Sequence, residues 1–150
     1  MGERDATDTA ILNAVLADAR LSYRQIAKKA GVSVTTVMHR LKALEQDKII
    51  RQYTADLDYE KLGYDIAIQI DVRVSKGKLF EVEKRLAHHP NIVALYDITG
   101  DFDCLIIAKF KTRRTMDNFL KRIQTYPFIE RIRTSLILNI IKEKRMEVAL

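Results

Sequence analysis

Drawn on a helical wheel at about 100° per residue, Thr35, Thr36, His39, Lys42 and Ala43 fall on one side of the segment 34–46. Val37, Leu41 and Leu44 fall on the other. The outward set is small and rich in hydrogen-bonding groups, and nothing bulky interrupts it. Threonine hydroxyls and an imidazole can bond the edges of nucleobases, and alanine and threonine methyls can touch a thymine methyl. This face therefore suits entry into a major groove. Arg40 flanks the seated side, where its guanidinium would meet a phosphate or a carboxylate of its own chain. Upstream, Ser22 and Tyr23 open another helical pattern, whose first N–H groups and hydroxyls can hold a phosphate. Arg24, Lys28 and Lys29 add positive charge there, and Ser33 heads the groove-facing helix.

Each of these side chains, taken alone, reads as an ordinary solvated residue. The charge distribution weighs on the set. The chain has 150 residues with 26 Lys+Arg, 20 Asp+Glu and a formal net charge of +6. Residues 20–51 hold eight basic and two acidic residues, so they carry the whole surplus of six, and the rest balances at 18 against 18. A surplus confined to one stretch is the footprint expected for a polyanion.

The elements that position this face are three short helices. Asp8 can cap a helix over residues 9–17, with Ile11, Leu12, Val15 and Leu16 at helical spacing. Ser22 and Gln25 form a capping-box pattern that opens a second helix through Ala30, and Gly31 supplies a turn. Ser33 caps the third, which runs to about Gln46. Two helices joined by a short glycine turn form a helix-turn-helix pattern.

From Ile49 the period changes to that of an extended segment, and a division is expected near residue 60, giving domains over 1–60 and 61–150. In the second half Ile66, Ile68, Ile70, Val72 and Val74 alternate with Gln69, Asp71 and Arg73. A helix over 78–88, strands over 92–99 and 104–110, a helix around Met116–Ile123 and a strand over 132–141 complete a βαββαβ order. The fold class is thus α+β: a helix-turn-helix domain followed by a ferredoxin-like domain with both helices on one sheet face. Three strands are apolar on both sides, through Val93 and Leu95, Leu105 and Ile107, and Ile137 and Ile141. The helices can cover only one side, so a second copy of the chain is expected to cover the other.

Several classes are excluded or disfavoured. Cys104 is the only cysteine, so there is no intrachain disulfide and no cysteine-built zinc site, and His88-His89 lacks ligand spacing. No metal and no cofactor are expected. No apolar run approaches the roughly 18 residues of a membrane span, and residues 1–10 lack the apolar core of a secretory signal. A cytoplasmic protein without a membrane partner is expected.

The ordered set Asp8, Ile11-Leu12, Leu16, Asp18-Ala19-Arg20-Leu21-Ser22, Ile26-Ala27, Gly31-Val32-Ser33, Val37, Arg40-Leu41, Leu44-Glu45 and Ile49-Ile50 resembles the start of the Lrp/AsnC (feast/famine) transcription regulators. The second half, with Tyr96 and Thr99-Gly100-Asp101-Phe102-Asp103, resembles their effector-binding domain. The resemblance implies a sequence-specific regulator of transcription that binds double-stranded DNA, is modulated by a small amino acid, and forms a homodimer and higher assemblies of dimers. It implies an effector site at Gly100, Asp101, Phe102 and Asp103, with Thr134 and Ser135. There the N–H at Gly100 could bind a carboxylate, and Asp101 or Asp103 an ammonium group. Two positions depart from the family pattern: Lys48 stands where a turn glycine is usual, and Ile132 where a threonine is frequent. Two other readings compete. One is a ligand-independent architectural DNA binder, which Ile132 leaves open. The other is a decarboxylase of a haem precursor, which would enlist Arg85, His88 and His89 but gives the basic stretch no role.

Overall fold

A computed structural model describes residues 5–143 and 146–149; residues 1–4, within the stretch read for a signal, and 144, 145 and 150 lie outside the described residues. The chain forms two compact units, one of residues 5–56 with the tail from 142, the other of residues 57–141.

The first unit holds α1 (Ala6–Ala17), α2 (Tyr23–Ala30) and α3 (Val34–Gln46). Their apolar stripes meet in a core of Ile11, Ala14, Ile26, Ala27, Val37, Leu41 and Leu44. Ser22 and Gln25 make the reciprocal capping box, Gly31 turns the chain at φ 68°, and Ser33 caps α3 through the Thr36 N–H, as the pattern predicts. The start of α1 differs. Asp5, not Asp8, is the cap, and its carboxylate accepts the Asp8 N–H at 3.0 Å. Asp8 lies inside the helix, buried, because Arg40 reaches it from α3.

Lys48 adopts φ 56°, the left-handed conformation that its family glycine would adopt freely. It closes a Schellman motif, with Lys48 N donating to Glu45 O at 3.0 Å and Ile49 N to Leu44 O at 2.9 Å. A Cβ in this region costs roughly 1–2 kcal/mol, partly offset by the greater freedom of unfolded glycine. Lys48→Gly should therefore raise the urea midpoint of this unit by an amount equivalent to about 0.5–1 kcal/mol.

The extended segment expected after Ile49 is not a strand, because residues 51–58 have no neighbour to pair with among the described residues. Tyr53 instead donates to the Glu45 carboxylate at 2.7 Å. The tail joins the helices rather than the sheet. The Asn13 amide donates to Val148 O and accepts Val148 N–H, both at 2.9 Å, as a neighbouring strand would.

The second unit holds β1 (Ile66–Val74), α4 (Leu79–Leu86), β2 (Ile92–Asp97), β3 (Cys104–Phe110), α5 (Arg113–Gln124) and β4 (Ile129–Ile137). The sheet order is β2-β3-β1-β4, every pair antiparallel. Ile68, Ile70, Val72, Cys104, Ile106, Ala108 and Phe110 pack under Val82, Leu86, Phe119 and Ile123 of the two helices.

Two strand patterns differ from expectation. A bulge between Ile92 and Ala94 reverses the alternation in β2, so Leu95 faces the core and Tyr96 the opposite side. β4 begins three residues earlier than its apolar run and ends at Ile137, which is paired with Ala67 at the start of β1. Beyond that point β1 offers no partner, so Leu138, Ile140 and Ile141 leave the sheet exposed. The helix-free face carries half-buried Ala94, Leu105, Ile107 and Ile137, with Tyr96 exposed beside them. At one end Tyr59 and Tyr64 close over it, with the Lys109 ammonium 4.8 Å from the Tyr59 ring.

Candidate nucleic-acid interface and effector loop

α3 is seated by Val37, Leu41 and Leu44, all buried. Thr35, His39, Lys42 and Ala43 on the opposite side are exposed, and Ser22, Tyr23, Arg24, Lys28, Lys29 and Ser33 around them are exposed as well. The basic residues of the two helices thus share a unit with an outward face free of core duty. Ser22 and Ser33 are engaged as helix caps, and two further predicted side chains have local partners. The Thr36 hydroxyl lies 2.8 Å from Ser33 Oγ and is half-buried by the cap. Arg40 is bound by Asp5 at 2.7 Å and Asp8 at 3.4 Å, the carboxylate alternative of its sequence reading. The Asp8 N–H, followed by Arg40, holds the Asp5 carboxyl below its usual range. Sequence reasoning passed over Met38, which is 51% exposed on the same helix. Its signal was available: it is an apolar residue off the Val37/Leu41/Leu44 stripe.

The loop after β2 folds back onto the end of β1. Gly100 has φ 118° and Phe102 is buried. Asp103 is part of the scaffold: its carboxylate accepts the Val74 N–H at 2.7 Å, and its own N–H donates to Val72 O at 2.9 Å. One Asp103 oxygen is thereby committed to the scaffold. Asp101 carries the available carboxylate, while its backbone oxygen accepts Arg73 Nη1 at 2.6 Å.

Phe102 lies under the guanidiniums of Arg131 and Arg133, at 4.9 and 4.7 Å from its ring. Arg133 is fixed by buried Asp71, through Nε at 2.9 Å and Nη2 at 2.8 Å, and Gln69 donates to the other Asp71 oxygen at 3.0 Å. This cluster lies on the helix-free face. Ser135, opposite Gln69, shares that face, whereas Thr134, opposite Ile70, stands on the helix side. Ile132 is opposite Val72 and packs against the core, so the threonine it replaces in the family pattern would also point away from the loop. The sequence reading noticed Gln69, Asp71 and Arg73 as polar alternates but did not connect them to the loop. Strand register makes that connection.

On the far side of the loop, Glu83 of α4 approaches Asp97, the last residue of β2. Glu83 Oε1 is buried with no hydrogen-bond partner among the described residues. Burial, then the Asp97 hydrogen bond and charge, push the Glu83 carboxyl up to about 7. Burial likewise pushes the Cys104 thiol up to about 12, which makes it inert as a nucleophile. His89 is held against Phe119 at 4.5 Å and accepts the Asn91 N–H at 3.3 Å, and Arg85 lies 5.8 Å from the Tyr126 ring. These residues serve packing. No helix among the described residues is long and apolar enough to cross a membrane, and none of their His, Cys, Asp and Glu side chains form a metal-holding group.

Sequence profiles match both units: a winged helix-turn-helix DNA-binding domain over residues 4–51 and the Lrp/AsnC ligand binding domain over residues 67–147. The chain belongs to the Lrp/AsnC family. It is a transcription regulator with a helix-turn-helix DNA-binding domain, as its sequence predicts. An uncharacterized HTH-type transcriptional regulator of Pyrococcus furiosus is 39% identical, covering 94% of this chain and 95% of the relative. The HTH-type transcriptional regulator FL11 of Pyrococcus horikoshii is 34% identical, covering 93% and 92%. In fold, this Lrp/AsnC chain matches a transcriptional regulator of Neisseria meningitidis solved in complex with L-Met, with a TM-score of 0.87, 24% identity and coverage of 98% and 97%.

Proposed function

We propose that this Lrp/AsnC regulator reads duplex DNA through Thr35, Met38, His39 and Lys42 of α3, is positioned on phosphates by Tyr23, Arg24 and Lys28, and responds to a small amino acid bound at Gly100–Phe102. The observation that carries the DNA assignment is the division of α3 into a buried seating stripe and an exposed polar face, within a stretch that holds eight basic and two acidic residues. Ser22 and Ser33 shape the helix starts, and Thr36 and Arg40 serve the scaffold. The protein works in the cytoplasm as an oligomer, without catalysis.

The amino-acid reading has support from the ligand-binding profile over residues 67–147 and from the L-Met complex of the Neisseria regulator. At the loop, Asp101 has a free carboxylate for an ammonium group, and Gly100 exposes backbone for a carboxylate. The architectural alternative loses its motive, because Ile132 packs in the core rather than beside the loop.

Binding to its own promoter region and to random duplex, measured across a salt series, tests both halves. His39→Ala should cost about 1–3 kcal/mol on the preferred sequence and little on random DNA. Lys28→Ala should weaken both equally and reduce the salt slope by about one. Asp101→Ala should leave DNA affinity without effector intact and abolish the change that an amino acid produces. Equal losses of His39→Ala on specific and random DNA would remove α3 from the groove.

A further inference from the structure

Arg73 of β1 and Arg131 of β4 stand directly opposite each other on the helix-free face. Like charges in register across two strands repel, and neighbouring opposite charges normally relieve this. Here the relief is incomplete. Asp71, the nearest buried acid, is committed to Arg133 by two bonds. Glu130 comes no closer to Arg73 than 3.9 Å. Arg131 makes no hydrogen bond or ion pair with any described residue; its contact is the Phe102 ring.

Both guanidiniums are nonetheless held in place. Arg73 is tied to the Asp101 backbone oxygen, and the Arg131 guanidinium sits 4.9 Å from the centroid of the buried Phe102 ring. Two forks of N–H donors, fixed on adjacent strands with only the long Glu130 contact to Arg73 for an acid, form a site for a carboxylate. The neighbouring groups complete a pattern. Asp101, one residue from Phe102, has a carboxylate with no partner among the described residues, and Gly100 beside it is exposed, with φ 118°. An acceptor for ammonium, donors for one carboxylate and a separate cationic pair for a second carboxylate match a dicarboxylic amino acid.

We infer that the effector is a dicarboxylic amino acid whose side-chain carboxylate bridges Arg73 and Arg131. This rests on the placement of the effector at Gly100–Phe102 proposed above and specifies what that site selects. The bridge offsets the cross-strand repulsion, so it is worth more to the bound state than an exposed ion pair would be. The amide analogues offer the two guanidiniums one neutral carbonyl oxygen and an opposing N–H2 group, so they gain much less there.

The test is calorimetric titration of L-glutamate, L-aspartate, L-glutamine, L-asparagine and L-leucine into the full chain, with sedimentation alongside. Wild type should bind one of the acids at least about tenfold more tightly than its own amide. Arg131→Met should erase that preference while leaving amide affinity within about twofold, and Arg131→Lys, which keeps charge without the fork, should retain part of it. Thermal melting checks that each variant folds. Equal binding of acid and amide by wild type would overturn the inference and leave the effector site standing. No binding of any amino acid would overturn both. A third result, a change in assembly size in Arg131→Met with no acid preference in wild type, would assign the second carboxylate to a neighbouring copy of the chain and also overturn the inference.

Discussion

Ile107→Glu will sediment as a monomer with an unchanged circular-dichroism spectrum, and its DNA affinity will fall with its assembly. Ile107 lies mid-sheet on the helix-free face, between Ala94 of β2 and Gln69 of β1. In the isolated chain it is only half-buried, so a glutamate there keeps water and the fold survives. In a dimer formed through this face, the carboxylate would be desolvated under the second sheet, which costs several kcal/mol. A two-fold interface presents the same change from both sides, so association should weaken at least about a thousandfold. A variant that keeps the size of wild type would place the oligomer contact elsewhere, with the exposed Leu138, Ile140 and Ile141 as the next surface to vary.

Glu83→Gln will remove a pH dependence of stability between about pH 5 and 8. Burial first, and Asp97 second, raise the Glu83 carboxyl from 4.5 to about 7 in the folded chain. The folded state thus holds a proton that the unfolded state releases at lower pH. The stabilisation is complete below pH 4.5 and is lost as pH rises through about 7. Asp97 is exposed and water screens the pair, so the contribution is discounted to about 1–2 kcal/mol. The other charged groups nearby are Asp103 on the loop and Cys104 on β3, whose thiol stays protonated throughout this range. Glutamine donates to Asp97 at every pH, so the variant should match wild type near pH 5 and exceed it near pH 8 in urea melts. Parallel pH profiles for the two proteins would remove Glu83 as the titrating group.

Where local chemistry decides a feature, it was legible in the residues. Ser22 with Gln25, and Ser33 with Thr36, set two helix starts through contacts three residues long, and the alternation from Cys104 to Phe110 sets β3 to the residue. Asp8 was a plausible cap of the same kind, but Arg40, 32 residues away, claims it. The ends of β4 follow from where β1 begins and ends rather than from its own apolar run, and the bulge after Ile92 flips Leu95 inward against a simple alternation. The candidate site divides in the same way. The exposed face of α3 follows from helix periodicity, and the glycine-aspartate loop from turn chemistry. Asp71, Arg73, Arg131 and Arg133 reach that loop only through strand register, which pairs residues about 60 positions apart and leaves no mark in either segment alone.

The clasp between Asn13 and Val148 gives the DNA-binding unit an unusual place in the order of synthesis. Its helices are made first, yet one of their hydrogen-bonding partners lies 135 residues downstream. At about 5–20 residues per second, the Asn13 amide faces water for roughly 7–27 s before Val148 has been added. During that time the whole sheet unit is made. The three helices of the first unit therefore begin folding before the sheet exists and reach their final contacts after it. A released chain that ended between Ile137 and Val148 would hold every strand of the sheet together with helices that lack their clasp.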